Sequence, residues 1–458
     1  MGRPLESEVV RLVLVGGGHS HQQVVQSLGR SSVESVSDGK RFELVLVSDS
    51  KSAMYSGMVP SVVAGGVPDE DASVELEALC RASGWRLITG RVTDVKAAQK
   101  EIEIDGTSTL SYDLISFDVG SETRALNGTE AAMKEGANIV LTRPIRDLRG
   151  RIDEILASLG PKRNAKVVVV GGGAAGSELA FALRDKLGNK GQITVITSDT
   201  NRLGSFTNKR ASATVAAEFR EHNISLKQGK VSIVDIDFVQ MLDRSKMQYD
   251  LLVIATGAQG ARWMQKTDLD LDPHGFIRVQ ANLQSAANPE VFASGDCAAF
   301  PGSLPKAGVF AVRMGPILLK NLRSSLCMVF QGQAVKSAHL MDFKPQMHML
   351  SLLRTSDGMA IGSKWGLVFR GRWVRSMKNK IDRQWINRFT DQHSSSGFLG
   401  PTFRGHPVEG ASIILNADVL QENFEDQLSV LDKMAEDANF RQQVINVADN
   451  VFDNVNSN

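Results

Sequence analysis

The stretch KVVVVGGGAAGSELAFAL, residues 166–183, sets Gly171, Gly173 and Gly176 in G-x-G-x-x-G spacing. A run of valines delivers the chain to a turn without side chains, where backbone can come close to a pyrophosphate. The helix that follows turns its free N–H groups and positive dipole end towards those phosphates. Gly176 lets that helix lie against the sheet. With a strand before it and a helix after it, the motif predicts a dinucleotide site rather than a merely structural turn. The next strand ends at Thr197-Ser198-Asp199, near the ~20-residue spacing at which an acidic side chain meets a ribose. Arg202 stands close by and would suit a 2′-phosphate, so the pattern leans to NADH and leaves NADPH open.

RLVLVGGGHSHQQVV, residues 11–25, repeats the theme with Gly16 and Gly18 at the turn and His21 in the third place. Histidine cannot pack as closely as glycine, so the helix should stand off the sheet or the imidazole should find a gap. The following strand, FELVLVSDS, ends in Asp49, about 30 residues on instead of ~20, and the polar loop 31–40 explains the excess. Taken alone, this copy is equally a nucleotide site or a glycine-rich turn. His19 and His21, without further ligands nearby, read as cofactor-facing or packing residues, and no metal site is expected.

These turns need strands and helices to carry them. Leu12–Val15, Phe42–Val47, Lys166–Val170, Gln192–Thr197 and Tyr249–Ala255 have the unbroken Val/Ile/Leu character of parallel strands covered on both faces. Helical patterns at Gly176–Leu187 and Val309–Leu322 fall between strands, which predicts a doubly wound α/β fold. The 458 residues allow two or three domains. Lys and Arg number 52 against 51 Asp and Glu, so no overall field favours nucleic acid. The residues before Leu12 do not form a secretory segment, and no apolar run approaches the roughly 20 residues of a spanning helix. An intracellular protein is expected, cytoplasmic or peripheral on a membrane face. Cys80, Cys297 and Cys327 show neither CxxC nor CxxxxC spacing, so no disulfide framework or zinc site is expected.

Beyond residue 331 the character changes, with strands expected near Met347–Leu353 and Met359–Gly362. KWGLVFRGRWVRSMKNKIDRQWINRF, residues 364–389, then carries eight Lys and Arg against Asp382 alone, interleaved with Trp365, Trp373, Trp385 and Phe389. One reading is an interfacial helix on anionic lipid. The others are a solvated helix with its tryptophans in the core, or a dock for the acidic tail. No nucleic-acid module accompanies the charge. Residues 391–410 read as linker and 411–458 as an acidic, helix-prone tail.

VFASGDCAAF, residues 291–300, resembles the second FAD fingerprint of two-dinucleotide flavoproteins. YDLLVIATGAQ, 249–259, resembles the segment leaving their NAD domain, and SYDLISFDVGSET, 111–123, its weaker FAD-domain partner. With the two glycine turns, these identify residues 11–325 as similar to the pyridine nucleotide–disulfide oxidoreductase superfamily. The resemblance implies two doubly wound, Rossmann-like domains, the NAD domain inserted in the FAD domain, plus a small C-terminal α+β region. The implied divisions are 1–140 and 261–330 for FAD, 141–260 for NAD(P), 331–390 for the C-terminal region and 391–458 for linker and tail. The redox CxxxxC of that superfamily is missing from KSAMYSGMVPSVVAGG, 51–66, as in type II NADH dehydrogenases. GGGHSH, MYSGMVPSVVAG, LPKAGVFAVRMGPILLKNL and the stretch 350–389 also resemble the flavoprotein module often fused ahead of selenide water dikinase, although the dikinase itself is not here.

The resemblance implies FAD held by Gly16, Gly18, His19, Ser20, Asp49, Gly120, Gly295, Asp296 and Ala307, with Asp296 on the ribityl chain. It places NADH or NADPH on Gly171, Gly173, Gly176 and Gly257. Glu178, on the first helical turn, faces the nicotinamide side or merely complements the helix dipole. Lys306 stabilises reduced flavin or is a surface lysine. Tyr55 stacks on or gates the acceptor face, or is a core tyrosine. The expected activity is an FAD-dependent NAD(P)H oxidoreductase with a quinone-like acceptor, and a homodimer is compatible with it. The alternatives are a reductase for a selenium or sulfur compound serving a separate dikinase, and a flavin-binding redox sensor or scaffold.

Overall fold

Successive residues of the strand Val10–Val15 face opposite sides of a sheet, and both sides are apolar. Leu12 and Leu14 enter one buried cluster, Val13 and Val15 another. The computed structural model describes residues 9–160, 164–346, 349–390 and 414–415. Val10–Val15 is the middle strand of a five-stranded parallel sheet ordered Val291–Ala293, Leu114–Phe117, Val10–Val15, Phe42–Ser48, Arg86–Thr89. A second parallel sheet runs Ile139–Leu141, Leu251–Ile254, Ala165–Val170, Gly191–Thr197, Ile224–Gln228. The first sheet takes its last strand, Val291–Ala293, from beyond the whole of the second. The second unit is therefore inserted into the first, as the resemblance implies.

Helix α1, His19–Ser27, follows the first glycine turn, and α2, Ala174–Leu187, the second. Helix α3, Gly308–Phe330, runs eight residues past the expected end at Leu322. Its buried stripe explains the extension: Phe310, Met314, Leu318 and Leu322 continue at Leu326 and Phe330, all packed on the first sheet's core. The polar segment 31–40 is not wholly a loop, because Val33, fully buried, anchors a short helix over Arg30–Glu34.

The C-terminal region is a small sheet. Ser351–Arg354, Ala360–Lys364 and Leu367–Gly371 form an antiparallel meander, with Ile414–Leu415 paired parallel at its edge. Helix α4, Arg372–Thr390, leaves this sheet and packs back towards the first unit. The basic stretch 364–389 is thus a hairpin followed by a helix, not one interfacial helix. Trp365 and Trp385 are buried, and Trp385 packs with Phe389 in the first unit's core. Arg370 pairs with Glu218 and Glu221, Lys378 with Asp382, and Arg388 donates to Gln26. Two of the three tryptophans and part of the charge that the sequence offered to lipid are spent inside the protein. Among the described residues no helix is long and apolar enough to cross a membrane. The linker and acidic tail expected over 391–458 lie outside the described residues, Ile414–Leu415 apart.

Candidate functional site

The second glycine turn is built as its spacing predicts. Gly171 has φ +122°, and a Cβ there would sit 2.3 Å from the Ala255 carbonyl oxygen. A Cβ on Gly176 would sit 1.9 Å from the Gly171 carbonyl oxygen. The backbone therefore closes on itself and leaves the start of α2 open to a ligand. The Ala174 amide donates to Ser205 Oγ at 3.0 Å. Asp199 and Arg202 both stand on the same cleft, as do Gly173 and Gly257. Glu178 falls two residues further into the helix than expected, because α2 begins at Ala174 and not at Gly176. A simple end-of-helix charge role is correspondingly weaker.

The first turn answers what histidine does in glycine's place. Gly16 has φ +92°, with a Cβ position 2.4 Å from the Asp118 carbonyl oxygen. His21 is fully buried, its Nδ1 2.7 Å from the Gly16 carbonyl and its Nε2 2.9 Å from Ser116 Oγ. The carbonyl can only accept, so Nδ1 carries the proton and Nε2 accepts from the serine hydroxyl. Burial lowers the His21 pKa to about 4, keeping the ring neutral. The imidazole is a spacer that hydrogen-bonds the turn it displaces. His21→Ala strands two buried polar partners, and about 1–3 kcal/mol of unfolding free energy should be lost in denaturant titration of the apoprotein.

Asp118, at the end of Leu114–Phe117, is a residue that motif reading missed. Its buried Oδ2 accepts the Ser20 amide at 2.8 Å and, more weakly, the His21 amide at 3.4 Å. It caps α1 from across the sheet, where the motif places phosphate. Burial raises its pKa to about 7, the two amides opposing and nearby Asp296 adding to the rise. The only sequence signal was an acid where SYDLISFDVGSET matches a fingerprint weakly.

The other expected FAD residues divide. Gly18, His19, Asp49, Gly120, Asp296 and Ala307 line the cleft. Gly295 is buried behind it, φ +64°, against Asp118. Ser20 is turned inward, its hydroxyl donating to the Ala311 carbonyl at 2.7 Å. Asp296 is held by Arg143 at 3.2 Å and receives the Ser121 hydroxyl at 3.2 Å. Asp49 pairs with Arg146 at 3.0 Å. Lys306 is no free surface lysine: its ammonium donates to the Ala298 carbonyl at 2.6 Å and lies 3.8 Å from the centre of the Phe276 ring. The start of α3 also presents its positive end here, its Ala307, Gly308 and Val309 forming part of the wall beside Lys306 and Arg143.

At the far end of the cleft, α4 meets the segment after Met54. Tyr55 stacks on Trp385 with ring centres 6.0 Å apart, and His19 sits edge-on to Tyr55 at 5.2 Å. Tyr55 hydrogen-bonds Asp382, and burial with that carboxylate pushes its hydroxyl pKa upward. Asp382 pairs with Lys378 at 2.9 Å, and Lys378 also donates to the Gly57 carbonyl at 2.7 Å. Glu178 accepts the Arg354 amide at 2.8 Å, and burial raises its pKa despite nearby Lys378. Trp385, Asp382 and Lys378 were also missed. The one acid of a basic stretch, four residues after a lysine, was the available hint.

Both glycine turns open into a single cleft of about 2430 Å³. A pocket for one drug-sized ligand is roughly 300–1,000 Å³, so this cleft has room for two large ones. Two glycine cradles, two helix starts and an aromatic end wall fit a flavin dinucleotide and a nicotinamide dinucleotide in one cleft. The family model described as pyridine nucleotide-disulphide oxidoreductase matches residues 10–315. The chain belongs to that family. Family members are FAD-dependent NAD(P)H oxidoreductases, and FAD with a reduced nicotinamide are the cofactors. A monodehydroascorbate reductase of Solanum lycopersicum is 22% identical over 442 residues, 92% of this chain and 96% of its own length. The demethylphylloquinone reductase NdbB of a Synechocystis is 21% identical over 293 residues, 62% of this chain and 71% of its own. Among solved structures, NDH2 of Plasmodium falciparum in complex with NADH superposes with a TM-score of 0.64 at 16% identity, covering 84% of this chain and 98% of that one. Unlike the disulphide-using enzymes that give the family its name, this member has no cysteine in the cleft wall. Cys80 and Cys297 are buried, with thiol pKa values raised to about 12.

Proposed function

We propose that this oxidoreductase passes electrons from NAD(P)H to a diffusible, planar, quinone-like acceptor. The observation that carries the reading is the cleft's far wall, which offers aromatic rings and titratable groups where a disulfide enzyme would offer sulfur. When bound, flavin supplies the redox chemistry, taking hydride from nicotinamide and releasing electrons to the acceptor. The chain's own residues then do three things. Gly171, Gly173 and Gly257 hold the reductant, with Gly176 letting α2 close on the turn behind them and Asp199 favouring NADH. Gly16, Gly18, Asp49, Gly120, Asp296 and the start of α3 hold the flavin, with Gly295 supporting the turn behind it. Tyr55 and His19, backed by the buried Trp385, give a planar acceptor surfaces to stack on.

Reduction of a quinone to a quinol consumes two protons as well as two electrons. Glu178, whose carboxyl pKa is raised by burial, is the proton donor at hand, while Tyr55 keeps its hydroxyl on Asp382 and holds the aromatic wall in place. Lys306 acts through position, fastening the loop that precedes α3. The name of the Synechocystis relative supports a quinone. The near full-length match to the tomato protein supports a second reading, with monodehydroascorbate as acceptor. Stopped-flow reoxidation of the NADH-reduced holoprotein separates them. A short-chain quinone should reoxidise it much faster than air does. Acceleration by monodehydroascorbate alone favours the second reading, and no acceleration by either compound sinks both.

A further inference from the structure

Outside the large cleft, a cavity of about 140 Å³ lies where the segment Met58–Val67, the strand Ser351–Arg354 and α4 meet. Arg354, Arg375, Arg383, Asn379 and Ser61 contribute to its wall, and Asp382 is the one acid there. Arg354 is only 7% exposed. One of its nitrogens pairs with Asp185, while Nε and Nη1 are buried without a hydrogen bond. Arg375 donates from Nη2 to Ser61 Oγ at 3.2 Å and keeps Nη1 buried without a partner. Burial and the neighbouring Arg354 lower the Arg375 pKa to about 10, although Glu178, Asp382 and Asp185 pull the other way.

Buried guanidinium donors are nearly always satisfied, because an unmet one carries its full desolvation penalty. Here two such side chains sit together, with a third, exposed one at the rim. Their carboxylate neighbours are already engaged, Asp382 by Lys378 and Tyr55, Asp185 by Arg354. Guanidinium groups brought to one cavity by different elements match an oxyanion, which accepts several N–H groups at once. A single water occupies ~30 Å³, so the cavity has room for a group of phosphate size.

We propose that this cavity binds a phosphate-type oxyanion through Arg354, Arg375 and Arg383, as a site separate from the two nucleotide cradles. It shares Asp382 with the acceptor end of the cleft, so its occupant would place negative charge beside that wall. The binding itself does not depend on which acceptor the enzyme uses.

Calorimetric titration of the FAD-bound protein with inorganic phosphate tests the site. The expected result is saturable binding of one ion per chain, weakened at least tenfold by Arg375→Gln and by Arg383→Gln, with bound FAD unchanged. Arg383 is exposed, so its variant remains informative if replacing the more buried Arg375 disturbs folding. Gly176→Ala, in the nicotinamide cradle, should leave phosphate binding as it was. Phenyl phosphate serves as a second probe: binding of both ligands points to the phosphate group of a larger molecule, binding of phosphate alone to the free ion. No saturable binding overturns the proposal. So does binding that survives both arginine variants, whatever Gly176→Ala does to it.

Discussion

Gly176→Ala is expected to lower kcat/KM for NADH about 100-fold while the protein keeps its FAD. The added Cβ would stand 1.9 Å from the Gly171 carbonyl oxygen. Neither atom can rotate away, because the carbonyl is backbone and a Cβ is fixed by the backbone that carries it. The start of α2 must therefore move off the sheet by about 1 Å or more, and a shift of that size at a positioning element costs on the order of 100-fold. Overpacking of this kind also destabilises by about 1–3 kcal/mol, so bound FAD and circular dichroism must be checked alongside the kinetics. The first cradle lies on a different sheet and should retain its ligand. Unchanged kcat/KM would mean that the second turn does not hold the reductant.

The second large effect concerns Asp118. Its folded pKa of about 7 lies above the ordinary value of 3.8, so the folded protein holds a proton that the unfolded chain has released. That contribution to stability is complete below pH 3.8, falls as pH rises, and is gone above about pH 7. An incoming pyrophosphate repels the carboxylate and favours its protonated form. FAD should therefore bind the apoprotein at least tenfold more weakly at pH 8.5 than at pH 6, a slope approaching about tenfold per pH unit above the pKa. Asp118→Asn keeps an acceptor for the Ser20 amide and carries no charge, so its FAD affinity should vary less than about threefold over that range. Fluorescence titration with FAD at the two pH values reads this directly. Parallel pH profiles for the two proteins would show that Asp118 does not face the phosphates.

Much of the fold was legible because its determinants are local. Valine-rich strands running into glycine turns announced both parallel sheets, and Gly171, Gly173 and Gly176 sit where their spacing put them. His21 was legible as an exception but not as a solution. Its two hydrogen bonds reach Gly16 and Ser116, and the second of these is set by strand order rather than by any motif. Lys306 shows the converse case. Its place before α3 was read correctly, but its ammonium turns to Ala298 and the Phe276 ring, which no sequence pattern indicates.

The acceptor end was the least legible part. Tyr55 came from the resemblance, whereas Trp385, Asp382 and Lys378 were hidden in a stretch whose composition looks like a membrane surface. Charge and aromatic counts describe a segment, not its direction. Only the return of α4 onto the first unit turns its tryptophan and aspartate towards Tyr55 and His19. Asp118 and the arginine cavity share that difficulty, since each joins residues more than 90 positions apart.

The most direct test is an anaerobic absorbance titration of the gently purified protein with NADH. A yellow protein whose flavin band bleaches in proportion to added NADH, reaching completion near one reductant per flavin, is the predicted result. A protein that neither retains nor takes up FAD, or whose bound flavin keeps its colour under excess NADH and NADPH, would contradict two nucleotide sites sharing one cleft.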